Sequence, residues 1–287
     1  MSDVEALEVV GTGGLVTVQD AGRPGLAHLG VPRAGWLDGP AAALGNRLVG
    51  NPPGAAVLEV ALGGLEVRPT GPVWAAVTGA GCDVTVAGRA VAHGAAVRVP
   101  AGDVLRLGPA RGGVRTYLAV AGGVDVPPVL GSRSTDTLAW VGPPRVVAGA
   151  VLPLGRPSGP PASVDVARPP ATGPLHLHPG PRADWCVDAL DHLCRTAYAV
   201  TTDSDRVGLR LDGVPLRRAP GREGAELPSE GLVVGAVQVP PDGRPLVFLA
   251  DHPTTGGYPV VAVVDADDLA VCAQLRPGDP VRFSRAR

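Results

Sequence analysis

The chain has 287 residues, a formal net charge of −2 and a hydrophobic content of 45%. Its length favours two domains, and its apolar content argues against disorder although Gly (41) and Pro (32) are abundant. The charge offers no basic field for nucleic acid. Every basic residue is an arginine. The absence of lysine excludes a Walker-type phosphate loop, a Schiff-base lysine and a biotinylated carrier lysine.

The cysteines and the amino terminus indicate the compartment. The four cysteines show no CxxC spacing and are expected to be reduced core thiols; they are Cys82, Cys186, Cys194 and Cys272. The first residues are acidic, and no apolar run reaches the roughly 18 residues that a membrane span needs. We therefore expect a soluble cytoplasmic protein without a membrane segment.

The amino-terminal half is predicted to be mostly β. Glu8–Val10 and Leu15–Val18 have the composition of strands, and residues 56–120 contain seven short Val-rich and Leu-rich runs bounded by Gly, Pro or Asp. Helical crossovers are missing between these runs. The pattern favours a closed or nearly closed barrel over a parallel sheet.

One helix stands out between these strands. Asp38 is placed to cap it, Pro40 lies in its first turn, and Gly50 stops it. Asn46 and Arg47 fall on its polar face, where most residues simply face water.

Two polar features interrupt the amino-terminal strands. Glu59 lies inside a run that should be buried, so we expect it either to pair with an arginine or to line a pocket. Residues 131–136 read GSRSTD, and hydroxyls beside an arginine in a Gly-led turn could cradle an anion or form a solvated turn.

A Pro-rich and Gly-rich stretch without periodicity indicates a domain boundary. We predict an amino-terminal half at residues 1–155, a linker at 156–174 and a carboxyl-terminal half at 175–287. His176 and His178 follow the linker on one face of a predicted strand. No third ligand is adjacent, so no metal site is predicted there.

The carboxyl-terminal half continues with a short predicted helix at Ala183–Leu193. Further on, if the segment around Arg206 and Arg210 is a strand edge, these two side chains share a face that could bind an oxyanion. The alternative is ion pairing with Asp203 or Asp205.

Residues 229–265 are the stretch with the densest combination of strands and polar side chains. Three apolar runs, Leu232–Val239, Pro245–Ala250 and Pro259–Asp265, predict a meander. The polar residues at its strand ends could hold a small polar ligand; they are Gln238, Asp251, Thr254, Thr255 and Tyr258. The alternative for Asp251 is a turn closed by its own loop amides.

Several segments, taken in order, resemble one family. They are TVQDAGRPG, GVPRAGWLD, LGNRLVGN, GSRST, SDRVGLRLDG, SEGLVVGAVQVPPDGRP, LADHPTTGGYPVVAVV and LRPGD. The chain resembles the family of 5-oxoprolinase C subunits, also called allophanate hydrolase subunit 2-type or biotin-dependent carboxyltransferase, from about residue 7 to residue 283. The resemblance implies a mostly β fold with two cyclophilin-like β-barrel domains and a few short helices.

The resemblance also implies an activity that requires partners. Members act with two further 5-oxoprolinase chains, the B subunit and the A subunit. The complex opens the lactam of 5-oxo-L-proline to L-glutamate with ATP and magnesium, through a phosphorylated lactam. No biotin is expected on this chain.

The candidate residues fall into two groups. We expect Asp251 or Glu59 as a base or magnesium ligand, and Gln238 to orient the substrate. We expect the substrate carboxylate or phosphate at arginines and the lactam at hydroxyls; these residues are Arg33, Arg206, Arg210, Thr254, Thr255 and Tyr258.

Two other functions fit the same resemblance. One is the carboxyltransferase of a biotin-dependent urea carboxylase or allophanate hydrolase system, which needs a separate biotinylated chain. The other is a non-enzymatic antagonist of a protein that inhibits a sensor kinase.

Overall fold

The computed structural model describes residues 5–162 and 173–286. The chain divides into two compact units: residues 5–23 and 34–162 belong to the first, and residues 24–33 and 173–286 to the second. Residues 163–172, most of the predicted linker, lie outside the described residues. The predicted domain boundaries stay a prediction.

The first unit consists mainly of short strands, as its Val-rich runs predict. Its strands are β1 (Ala6–Gly11), β2 (Val16–Gln19), β3 (Val57–Ala61), β4 (Glu66–Pro69), β5 (Val73–Gly79), β6 (Val84–Val86), β7 (Arg89–Val91), β8 (Ala96–Val99), β9 (Leu105–Leu107), β10 (Arg115–Val120) and β11 (Val151–Pro153). Each of the seven runs predicted between residues 56 and 120 contains one of them, whereas β7 was not predicted.

These strands form two antiparallel sheets. The first has the order β11-β1-β4-β9-β6-β7 and the second the order β2-β3-β10-β5-β8. Alternate side chains of both sheets bury a core of Val and Leu, which includes Leu7, Leu58, Leu107 and Leu118. Each such fully buried side chain contributes about 1.5–3 kcal/mol relative to an exposed one.

The predicted helix is confirmed as α1 (Gly39–Leu48). Asp38 caps it by accepting a hydrogen bond from the Ala41 backbone N–H at 3.0 Å. Arg47 is exposed as expected. Asn46, in contrast, is fully buried, and its side-chain amide donates to the carbonyls of Pro53 and Ala55. The expectation that it faces water is wrong, because its amide is hydrogen-bonded to the backbone of the segment that follows the helix.

The second unit is also mostly β. Its strands are β12 (Leu175–Pro179), β13 (Tyr198–Val200), β14 (Gly208–Asp212), β15 (Glu230–Gly231), β16 (Ala236–Gln238), β17 (Leu246–Phe248), β18 (Thr255–Gly256), β19 (Val260–Val264), β20 (Pro280–Val281) and β21 (Phe283–Arg285). Its short helices are α2 (Ala189–Arg195) and α3 (Leu269–Cys272). The helix predicted at Ala183–Leu193 is a 3-10 turn at Ala183–Trp185 followed by α2.

The main sheet of the second unit has the order β20-β13-β14-β17-β16-β19-β12-β21. The predicted meander is wrong in its order, because β16 pairs with both β17 and β19 and lies between them. Sequence-adjacent strands usually pair, but β19 crosses to the far side of β16. The two-residue strands β15 and β18 form a separate small ribbon.

Candidate functional site

In the first unit, Asp20 is the centre of a hydrogen-bond cluster that joins two distant motifs. Its carboxylate accepts from the hydroxyls of Ser132 and Ser134, both at 2.6 Å. It also accepts from the backbone N–H groups of Gly22 at 2.8 Å and Arg133 at 2.6 Å. The GSRSTD turn does cradle an anion, and that anion is a side chain of the same unit. The cluster therefore fixes the turn rather than leaving it open.

Glu59 lies in a buried network of the same unit. Its carboxylate accepts from the hydroxyl of Tyr117 at 2.8 Å and from the backbone N–H of Leu37 at 3.1 Å. The Nε atom of Arg115 lies 3.5 Å away. Burial, and next the Glu59 charge, raise the pKa of Tyr117 well above its usual range. The predicted pairing with an arginine is confirmed, and the network satisfies a carboxylate that the strand pattern buries.

In the second unit, Arg206 and Asp251 form a buried ion pair. The exposed fractions are 3% for Arg206 and 0% for Asp251. The guanidinium donates from Nε at 2.9 Å and from Nη2 at 3.0 Å, one bond to each carboxylate oxygen. The Asp251 backbone N–H donates to the Arg206 carbonyl at 3.1 Å. This bidentate pair joins the start of the 251–258 loop to the segment before β14.

The two arginines predicted to share a face differ in their surroundings. Arg206 precedes β14 and is buried, whereas Arg210 lies within β14 and is exposed. Because Arg206 is buried against Asp251 while Arg210 is exposed, the predicted shared oxyanion face is wrong. Arg206 and its partner Asp251 are 45 positions apart in the sequence, so no local pattern could reveal the pairing.

The 251–258 loop is held at its other end by Gln238. The Gln238 side-chain amide, 4% exposed, donates to the Tyr258 carbonyl at 3.0 Å. Gly256 lies against it, since a Cβ there would be 2.8 Å from Gln238 Nε2. The Leu232 backbone N–H donates to the Thr254 carbonyl at 2.9 Å. Asp251 and Gln238 thus hold the two ends of the loop that carries Thr254, Thr255 and Tyr258.

Four of the predicted site residues are exposed, and one is half-buried. The exposed side chains are Arg33, Arg210, Thr255 and Tyr258, and the half-buried one is Thr254. No side-chain hydrogen bond or ion pair joins the guanidinium of Arg33 or Arg210 to another described residue. These groups are free to meet a ligand, whereas Asp251, Gln238 and Arg206 are engaged inside the unit.

His252 is a polar residue that the sequence interpretation missed. It is 6% exposed, and its Nδ1 lies 2.7 Å from the carbonyl of Pro253, which can only accept. Burial lowers the pKa of His252, although the carbonyl and the charge of Asp251 oppose this. Its place directly after Asp251 in LADHPTTGGYP was the available signal. Asp20 was missed too, although it lies in the TVQDAGRPG motif.

The two histidines of β12 each face a carboxylate. His176 Nδ1 lies 2.9 Å from Asp268 Oδ2, and His178 Nε2 lies 3.0 Å from Asp265 Oδ2. Within residues 5–162 and 173–286, no group of three or more His, Cys, Asp or Glu side chains could hold a metal ion. The pairs fasten β12 to the turn that precedes α3.

The four cysteines are free thiols, of which Cys186 and Cys272 are buried. Burial raises the pKa of Cys272 to about 12. No helix among the described residues is both long enough and apolar enough to cross a membrane.

Comparison with known proteins identifies the class. The family model described as "Carboxyltransferase domain, subdomain A and B" matches residues 29–285. The C subunit of 5-oxoprolinase from Escherichia coli (strain K12) is 38% identical over 282 residues, which are 96% of this chain and 90% of that protein.

Two solved structures share the fold. The crystal structure of TTHA0988 has a TM-score of 0.87 at 40% identity and covers 99% of this chain and 56% of its own. The K. lactis urea amidolyase has a TM-score of 0.90 at 28% identity and covers 98% of this chain and 19% of its own. The chain thus spans less than two thirds of either structure.

The predicted mostly β fold class with a few short helices is confirmed. The chain belongs to the family of carboxyltransferase domains, subdomains A and B, and the predicted resemblance to the 5-oxoprolinase C subunits is also confirmed.

Proposed function

We propose that this chain is part of an ATP-dependent 5-oxoprolinase complex that opens the lactam of 5-oxo-L-proline to L-glutamate. The observation that carries the proposal is the match to the E. coli 5-oxoprolinase C subunit, which extends over 96% of this chain and 90% of that protein. A match over nearly the whole of both chains supports a shared role better than a match to one segment does. Other subunits would complete the enzyme.

The reaction must overcome the amide resonance that protects a lactam carbonyl. Transfer of a phosphoryl group from ATP to the carbonyl oxygen makes the ring carbon electrophilic. Water then adds to this carbon, and the bond from carbon to ring nitrogen breaks as the nitrogen takes a proton. A second water hydrolyses the acyl phosphate that remains, which releases phosphate and leaves the side-chain carboxylate of L-glutamate. The site must offset the charge of the substrate carboxylate and of the transferred phosphoryl group.

The exposed groups of the second unit suit substrate binding. Arg33 and Arg210 present guanidinium groups that pair well with carboxylate or phosphate oxygens. The hydroxyls of Thr254, Thr255 and Tyr258 lie on one loop and can orient a small polar ring. We assign substrate binding to these five residues.

The buried groups suit positioning. A general base needs an oxygen that reaches the reacting proton. Both Asp251 oxygens face the Arg206 guanidinium inside the unit, so we assign this pair to holding the 251–258 loop. Gln238 holds the other end of that loop. Glu59 belongs to a separate buried network of the first unit, and we assign it to the stability of that unit.

Magnesium and ATP belong to the proposed reaction of the complex. Among the described residues no group of three or more acidic, histidine or cysteine side chains could hold an ion, and we assign no magnesium ligand in this chain. We therefore derive no step through the ion. Phosphate groups that reach this chain would meet arginines and backbone amides, because the sequence contains no lysine.

A second candidate is the carboxyltransferase of a urea-carboxylating system. The family description and the match to K. lactis urea amidolyase favour it. That match covers only 19% of the amidolyase chain, which leaves the rest of its length without a counterpart here. Because this chain has no lysine, the biotin that carries the carboxyl group would have to be attached to a separate chain.

Omission of each protein component in turn tests the proposal. The chain is mixed with its cognate A and B subunits, ATP, magnesium and 5-oxoproline, and glutamate and phosphate are measured. We expect glutamate only when this chain is present. If the complete mixture ignores 5-oxoproline, the chain is tested with urea, bicarbonate, ATP and a separate biotinylated carrier chain. Carboxylation of urea that avidin abolishes would then replace the proposal with the second candidate.

A further inference from the structure

The first unit exposes a group of large apolar side chains on two loops. They are Val129, Leu130, Leu138, Trp140 and Val147, which we call the 129–147 patch. The exposed fractions of Trp140 and Leu130 are 55% and 52%, although both side chains are costly to leave in water. Scattered apolar residues on a surface are ordinary, whereas a contiguous apolar patch marks an interaction site.

The turn that presents Trp140 is fixed by buried groups. The Asp136 carboxylate, 0% exposed, accepts from the backbone N–H groups of Leu138 and Ala139, both at 3.0 Å. The Asp136 N–H donates to the Val141 carbonyl at 2.9 Å. Trp140 itself has a φ of 56°, in the left-handed region that bulky residues avoid. The fold thus holds an unfavourable backbone conformation that points an indole outward.

Arg23 joins the two loops of the patch from beneath. Its buried guanidinium donates to the Val129 carbonyl at 3.4 Å and to the Ser134 carbonyl. Gly142 packs against the same atoms, because a Cβ there would lie 2.1 Å from the Ser134 carbonyl oxygen. Arg23 therefore holds Val129, Ser134 and the neighbourhood of Gly142 together, and this ordering reduces the entropy that a partner must offset on binding.

A depression of about 450 Å³ lies within the patch and is lined by Trp140, Gly142, Pro144 and Arg145. Arg145 is exposed and has no hydrogen bond or ion pair to any of the described residues. The nearby Arg133, in contrast, is paired with Asp125. The patch thus combines a tryptophan and an un-neutralised arginine, two residue types that dominate binding energy at protein interfaces. Its aliphatic side chains add apolar area around them.

We propose that the 129–147 patch is the docking surface for another protein of the complex. The partner fits if it carries an apolar groove for Trp140 and a carboxylate at the rim of that groove, because Arg145 supplies an uncompensated positive charge there. A small ligand would need only the depression, whereas the exposed side chains extend beyond it to Leu130 and Leu138. That the partner belongs to a 5-oxoprolinase rests on the proposed function.

The first unit offers a matched control. Trp74 is 39% exposed, and Arg98, also exposed, lies directly opposite it on the neighbouring strand β8. This second tryptophan and arginine pair lies on a regular sheet with its backbone in the extended conformation. Variants at Trp74 and Arg98 remove the same side chains from the same unit without touching the patch.

Binding of the full-length chain to the purified cognate A and B subunits, each taken separately, tests the proposal. Dissociation constants are measured by calorimetry for wild type, Trp140→Ala, Trp140→Asn, Arg145→Glu, Trp74→Ala and Arg98→Glu, at low and high salt. For the subunit that binds the wild-type chain, we expect each Trp140 variant to lose at least tenfold in affinity. Arg145→Glu should lose at least tenfold at low salt and less at high salt. The control variants should stay within twofold of wild type, and every variant should keep its thermal midpoint.

Three results would overturn the proposal. In the first, the wild-type chain binds neither the A nor the B subunit. In the second, the Trp140 variants bind the subunits as tightly as the Trp74 variant does. In the third, the Trp140 variants lose affinity for ATP or 5-oxoproline but keep their affinity for the subunits. Glutamate formation is measured separately. If the complex assembles through the patch but produces no glutamate from 5-oxoproline, the 5-oxoprolinase function fails and the docking surface stands.

Discussion

Asp20 in the first unit and Asp251 in the second are both hydrogen-bonded carboxylates, but their partners differ in kind. Each carboxylate lies in a motif and holds a polar loop. Asp20 is half-buried and is satisfied by two hydroxyls and two backbone N–H groups. Asp251 is fully buried and is satisfied by the guanidinium of Arg206.

The difference follows from access to water. A carboxylate that keeps part of its hydration can remain charged with neutral donors alone, because the desolvation cost is small. A carboxylate without water needs a counter-ion, and both partners then depend on each other. The comparison predicts that removal of Asp251 damages the protein more than removal of Asp20.

The largest effect is expected for Asp251→Ala. This change leaves the Arg206 guanidinium buried without its counter-ion, which should lower the free energy of unfolding by about 3–5 kcal/mol. Urea unfolding followed by circular dichroism measures it. A loss below about 1 kcal/mol would mean that water reaches Arg206 and that the pair is not isolated as described.

A smaller effect is expected for Asp20→Ala. The change takes a charged acceptor from the buried hydroxyls of Ser132 and Ser134 but leaves no unpaired charge behind, so about 1.5–3 kcal/mol should be lost. The same unfolding experiment measures it, with Ser132→Ala as the milder companion. Equal losses for Asp20→Ala and Asp251→Ala would contradict the distinction between the two carboxylates.

Asp38 is a third carboxylate, and its removal is expected to lower stability less than removal of Asp251 or Asp20. Its side chain caps α1 by accepting from the Ala41 backbone N–H. Asp38→Ala should therefore lose about 1 kcal/mol, whereas Asp38→Ser keeps an acceptor and should lose only part of that. Thermal unfolding of both variants tests the order.

The smallest effect concerns pH and the histidine beside Asp251. Because burial lowers the pKa of His252, the unfolded chain binds a proton more readily than the folded one. Its contribution to stability is present above the usual histidine pKa of about 6.5 and is lost as pH falls through the lowered value. His252→Asn should flatten the fall of the urea midpoint between pH 7.5 and pH 5.

His93, whose pKa burial also lowers, leaves a residual slope in that variant. His28 is exposed, so His28→Asn serves as the control and should keep the full slope. An unchanged slope in His252→Asn would show that His252 is hydrated in the folded chain.

Local chemistry made much of the fold predictable. The cap at Asp38 and the Pro in the first turn located α1, and Val-rich runs located the strands of the first unit. The order of β16, β17 and β19 was not predictable in the same way, since pairing depends on contacts made across the sheet. Asn46 has the appearance of a helix-surface residue, and only its partners at Pro53 and Ala55 explain its burial.

The sequence allowed us to predict which polar residues belong to the candidate site, but not which of them bond to each other. The polar residues of the 251–258 loop stand out in the sequence, but the partner of Asp251 lies 45 residues away. The partners of Asp20 lie more than a hundred residues away, at Ser132 and Ser134. No periodicity or spacing rule links positions so distant, so the sequence indicated polar groups without showing which of them hold one another.

The central claim is that Asp251 and Arg206 hold the loop and take no part in proton transfer. The most direct test is the pH dependence of glutamate formation by the reconstituted complex with the double variant Arg206→Gln, Asp251→Asn. This variant replaces the ion pair by two amides that can bond each other. We predict a rate within about tenfold of wild type and an unchanged pH profile, since general base catalysis would account for about 10²–10⁴-fold. A loss of that size together with a missing limb of the pH profile would contradict the claim and return Asp251 to the role of base.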